Sequence, residues 1–163
     1  MKQYFGKLAN SSAGLADWKL IIIAFGVLMA NNYLWTMLVA STTDYSIIKV
    51  IKTFDPKVYN WWLVIVFGPI VETLFLQYIL LHLFLPVMPH WMAVLLAGLC
   101  FGLTHFYSPE YILMGIISGI ILGFVFYVWW VQKGSLIKAL CFVSLIHCLA
   151  NSSAFLVNNY LWN

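Results

Sequence analysis

The chain has 163 residues, of which 64% are hydrophobic and 8% charged, and its mean hydropathy is +0.95. A soluble domain of this length carries about 25% charged residues, so the composition excludes an ordinary soluble fold and points to a membrane protein. The net charge of +3 comes from eight lysines with no arginine, which argues against a nucleic-acid surface.

The first 19 residues are polar. The apolar run Leu20–Thr43 that follows is too long for the core of a signal peptide and reads as a retained first transmembrane helix. Residues 44–57 alternate lysines and aspartates with Ile47, Ile48, Val50 and Ile51, which reads as an interfacial connector. Tyr59–Leu83 gives a second span, closed by the two prolines of LPVMPH. A third runs from Trp91 to Phe106, a fourth from Tyr111 to Val131, and a fifth from Leu136 towards Leu161. The predicted fold class is all-α: a polytopic transmembrane bundle of five helices in a single domain, residues 1–163. Trp18, Trp61, Trp62, Trp91, Trp129, Trp130 and Trp162 fall at predicted helix ends, as an interfacial aromatic belt requires. Five lysines against three favour a cytoplasmic N-terminus. Cys100, Cys141 and Cys148 lie within apolar segments without a CxxC spacing, and read as small core residues.

Four polar side chains interrupt these spans. Glu72 is the only acid between Lys57 and Glu110, within VIVFGPIVETLFLQYILL; His105 lies in FGLTHF, and His147 and Asn151 in HCLAN. A carboxylate at bilayer depth costs several kcal/mol unless it faces partners or water, so Glu72 marks a functional site by default. At 1.5 Å per residue, all four fall roughly 14–21 Å from the N-terminal side of the membrane, a depth they can share. His147 and Asn151, at i and i+4, project from one helix face. Asn31 and Asn32 in the first span read as helix–helix glue, and Gly115, Gly119 and Gly123 as a small-residue stripe for close packing. His82 and His90 fit interfacial positions.

These residues and their order resemble the CPBP family of intramembrane proteases, which includes type II CAAX prenyl endopeptidases and bacteriocin-processing or self-immunity (Abi-like) proteins. The family pattern is EExxxR, then FxxxH, then HxxxN. Its counterparts here are Glu72-Thr73 with Gln77, Phe101 with His105, and His147 with Asn151. The resemblance implies a glutamic-type endopeptidase working without a bound metal. In it Glu72 activates water, His105 holds that water or protonates the leaving amine, and His147 and Asn151 stabilise the oxyanion. Phe101 packs beneath His105. Thr73 and Gln77 replace a Glu and an Arg, and a neutral Thr73–Gln77 hydrogen bond is expected in place of their ion pair.

One Glu and two His also match the ligand set of some zinc hydrolases, so Zn held by Glu72, His105 and His147 is the cofactor alternative to none. The implied partners are the lipid bilayer and a peptide or membrane-protein substrate, whether prenylated or a peptide precursor. A chain this small is also a candidate homo-oligomer. The implied setting is multi-pass in the bacterial cytoplasmic membrane. A non-catalytic immunity or binding protein of the same fold is the alternative reading of the charge-depleted motif.

Overall fold

The computed structural model describes residues 2–42, 60–106 and 109–156. The interfacial connector expected at 44–57 and the last turns expected before Leu161 lie outside these residues. Six helices make up the described chain, with no strand among the described residues: α1 (Lys2–Ala13), α2 (Asp17–Thr42), α3 (Leu63–Phe84), α4 (His90–Leu103), α5 (Pro109–Gln132) and α6 (Leu136–Leu156). Four of them, α2, α3, α5 and α6, are long and apolar enough to cross a membrane. The all-α bundle read from the sequence is therefore present.

Two boundaries differ from expectation. α1 is a helix where only a polar segment was expected. Phe5, Ala9 and Ser12 recur at helical spacing, and Phe5 packs on Phe124 and Tyr127 with ring centroids 5.6 and 5.4 Å apart. The third apolar helix, α4, has only 14 residues, about 21 Å of helix, short of a roughly 30 Å hydrocarbon core. It stops before His105 because the chain tightens there. Thr104 N–H and His105 N–H bond back three residues, to Phe101 O and Gly102 O, and the Thr104 hydroxyl also donates to Phe101 O at 2.7 Å.

α4 and α5 pack backbone to backbone. A Cβ on Gly119 would lie 2.6 Å from the Phe101 Cβ and 3.0 Å from the Gly98 Cα, so the glycine stripe sets the helix separation, as its spacing predicts. α2 joins this pair through Asn31, which is buried and donates to Ser118 Oγ at 3.0 Å and Met114 O at 3.3 Å.

One end of the bundle is closed by charge. Asp17, in the first turn of α2, accepts from Lys133 Nζ and Lys138 Nζ, both at 2.8 Å, and from Trp129 Nε1 at 3.0 Å. A carboxylate is favourable at a helix N-terminus, and this one ties α2 to the end of α5 and the start of α6. Trp129 is therefore not part of an interfacial belt: it is fully buried, because Asp17 supplies the acceptor its indole needs. Trp18, Trp61 and Trp62 are exposed, in keeping with the expected belt.

Candidate active site

The site is built on an irregularity in α3. Pro69 has no N–H, and in a regular α-helix its ring would clash with the carbonyl four residues back. The helix widens instead: Gly68 N–H bonds to Leu63 O, five residues back, and residues Leu63–Phe67 and Thr73–Ile79 are π-helical around the α-helical turn Gly68–Glu72. Gly68 eases this turn, since a Cβ there would lie 3.0 Å from Leu63 O, a tight contact. Such widened turns are rare and frequently accompany functional sites. Glu72 closes the turn with its side chain 32% exposed, while Thr73, the next residue, and Gln77, beyond it on the same helix, face inwards and are fully buried.

Opposite Glu72, on α6, stands His147. Its Nε2 lies 3.5 Å from Glu72 Oε2, and the ring is buried. That distance is longer than a formed hydrogen bond and leaves the two groups facing each other across a narrow gap. His147 Nδ1 is buried and meets no acceptor among the described residues, so a proton on the neutral ring is better placed on Nε2, facing Glu72.

His105 completes the group from the end of α4. Phe101 lies between the two imidazoles, with its ring centroid 4.8 Å from His105 and 5.5 Å from His147. His105 is close enough to interact electrostatically with both Glu72 and His147. Its Nδ1 is 2.9 Å from Phe101 O. A carbonyl only accepts, so Nδ1 carries the proton and Nε2 is left as a hydrogen-bond acceptor. Gly115 on α5 lies beside this ring, and its close approach is to α4: an added Cβ would sit 3.0 Å from the Gly102 Cα and in ordinary contact, 3.5 Å, with His105 Cγ and Nδ1.

The structure thus places Glu72 opposite His147, and the rings of His147 and His105 against Phe101. Asn151 points elsewhere: its Nδ2 donates to Val64 O at 3.0 Å, across to the π-turn of α3. The expected Thr73–Gln77 hydrogen bond is not made. Gln77 Nε2 donates to Gly119 O at 3.4 Å, and Thr73 Oγ1 and Gln77 Oε1 have no partner among the described residues. The widened backbone directs the two side chains to different neighbours. Among the described residues, no group of three or more His, Cys, Asp or Glu side chains is placed to hold a metal ion, the Glu72–His105–His147 set included.

Sequence reasoning passed over Thr104 and the Val64 carbonyl. Thr104 carried a signal, a hydroxyl residue beside His105 where an apolar helix ends. Nothing local to Val64 marked its carbonyl for a partner on α6.

The family model described as type II CAAX prenyl endopeptidase Rce1-like matches residues 54–153. Comparison with curated proteins and with solved structures finds no match. The matched stretch runs from before the π-turn of α3 to within the last turn of α6 and contains Glu72, Phe101, His105, His147 and Asn151. With four helices of membrane-spanning length and this match over more than half its length, the chain is an integral membrane protein that belongs to the type II CAAX prenyl endopeptidase Rce1-like family.

Proposed function

We propose that the chain is a glutamic-type intramembrane endopeptidase whose hydrolytic water is held between Glu72 and His105. The carrying observation is the pairing of Glu72 with His147 at 3.5 Å on facing helices, with His105 on the other side of Phe101. Glu72 takes one proton of the water as general base, and His105 Nε2 accepts a hydrogen bond from the other, fixing the attacking lone pair. The oxygen adds to the substrate carbonyl. The developing oxyanion is within the chemistry of the His147 Nε2–H and of the second N–H of the Asn151 amide. Protonated Glu72 then passes its proton to the leaving amine as the C–N bond breaks, which restores the carboxylate and balances the reaction. No step calls on a metal.

The substrate class that fits the family is a peptide or membrane protein, prenylated or a peptide precursor, approached within the bilayer. The test is cleavage of a diverse peptide library by detergent-purified protein, read by mass spectrometry, beside Glu72→Gln and a chelator-treated sample. Cleavage lost only in Glu72→Gln supports the proposal; loss with chelator transfers Glu72 and the histidines to a metal site.

One observation favours a second reading, a non-catalytic immunity or binding protein of the same fold. The motif position after Glu72 is the neutral Thr73, and Gln77 replaces the Arg, so the ion pair of the family pattern is absent. Retention of the biological phenotype by Glu72→Ala and His105→Ala selects that reading.

A further inference from the structure

α3 and α4 do not stay together along their length. Val94 of α4 and Gln77 of α3 meet at Gly123, where an added Cβ would lie 3.7 Å from Val94 Cγ1 and 2.8 Å from Gln77 Oε1. The two helices pack where α3 runs from Thr73 to Phe84, and there Thr73, Gln77 and Leu81 recur at helical spacing as fully buried residues. The other half of α3 turns to α6: Val64 O meets Asn151, Val66 O meets Cys148, and Glu72 meets His147. Leu63–Phe67 contains no buried residue, as befits a segment packed on one side only.

α4 shows the same parting from its own side. Gly98, Phe101 and Gly102 face α5. The neighbouring stripe, Ala93, Ala97, Cys100 and Thr104, keeps to one helix face by its i, i+4, i+7, i+11 spacing. Its burial falls steadily: Ala93 and Ala97 are fully buried, Cys100 is half-buried and Thr104 is exposed. Among the described residues, a wedge-shaped cleft therefore separates α3 from α4, opening from the layer of Gln77 towards the end of α4. Glu72, on α3, and His105, just past α4, come from its two sides, and both are part-exposed.

We propose that this cleft is the doorway by which a membrane-embedded substrate reaches Glu72 and His105 sideways, between α3 and α4, and that it admits an uncharged segment. The exposed side chains on the two stretches, Leu99 and Leu103 of α4 and Phe67 and Ile70 of α3, are apolar. The charge cluster of Asp17, Lys133 and Lys138 is at the opposite end of the bundle. A lysine carried into the cleft would lose its water and find only Glu72 to pair with, tying up the base that the reaction needs. An uncharged segment enters without either cost.

The effect on turnover rests on the endopeptidase reading; the doorway itself does not. Cys100 lies where the cleft narrows and takes no part in the reacting group. Cys100→Trp is expected to fill the cleft and lower kcat/KM roughly tenfold or more, chiefly through KM, while Cys100→Ala and Leu99→Trp, at the exposed neighbouring position, stay within about twofold. A lysine beside the scissile bond of a library peptide should lower kcat/KM by a similar factor. Equal effects of Cys100→Trp and Leu99→Trp overturn the proposal, as does cleavage indifferent to that lysine. Alkylation gives a readout without turnover. In Glu72→Gln protein carrying Cys141→Ala and Cys148→Ala, a Leu/Ala peptide is expected to slow the reaction of Cys100 with N-ethylmaleimide several-fold. The same peptide bearing lysine is expected to leave it unchanged. If the native protein cleaves nothing, the endopeptidase reading fails, and alkylation alone decides the doorway: protection by the Leu/Ala peptide sustains it, unchanged alkylation overturns it. The same measurement decides if Cys100→Trp does not fold.

Discussion

His147 Nε2 stands 3.5 Å from Glu72 Oε2, bringing α6 and α3 together beside a largely apolar core. Two polar side chains at that depth stabilise little by themselves. Their value is that they hold a carboxylate and an imidazole against each other on facing helices.

Glu72→Gln keeps the size and a hydrogen-bonding head while removing the base. The expected result is loss of turnover by roughly 10²–10⁴-fold with the protein still folded. Single-turnover cleavage, with circular dichroism as the folding control, checks it. Chelator is expected to leave the native rate unchanged.

His105 is held by the carbonyl of Phe101, with the Thr104 hydroxyl 3.2 Å from its Nδ1. Thr104→Val removes the hydroxyl and leaves the ring. It should lower kcat by a few-fold, far less than His105→Ala, because the Phe101 carbonyl still selects the tautomer. Matching losses for the two variants would make Thr104 part of the reacting group.

Gly119→Ala drives a methyl to 2.6 Å from the Phe101 Cβ. Separating α4 from α5 to accommodate it is expected to cost about 1–3 kcal/mol. It should also reduce activity, since Phe101 is the ring on which both histidines rest. A denaturation series in detergent together with the cleavage rate reads both effects.

Thr73 is fully buried and its hydroxyl has no partner among the described residues. Thr73→Val keeps the shape and removes the polar atom, so it is expected to be neutral or stabilising by about 1 kcal/mol. A fall in melting temperature would show that the hydroxyl is bonded in the membrane.

Asp17→Ala leaves the buried Trp129 indole N–H and the partly buried Lys133 without their shared acceptor. A loss of about 1–3 kcal/mol is expected, with Asp17→Asn intermediate because its amide oxygen can still accept from the indole. Thermal unfolding followed by Trp fluorescence measures both.

The sequence by itself determined the fold class, because apolar runs of helical length in a chain this poor in charge have few alternatives. It also singled out Glu72, His105 and His147 as candidates, because ionisable groups stand out against such runs, and a shared depth follows from counting residues. Only the tertiary structure decided the rest. That α1 is a packed helix depended on what Phe5 meets on α5. That Trp129 is buried depended on Asp17, 112 residues away. The partner of Asn151 was hidden for a related reason: its target is the Val64 backbone carbonyl on another helix, and no side chain marks a backbone acceptor. Thr73 and Gln77 failed as a pair because the π-helical turn altered the α-helical spacing on which the i, i+4 expectation rested. Periodicity and hydropathy are properties of each segment alone; which donor reaches which acceptor is fixed only when the helices come together.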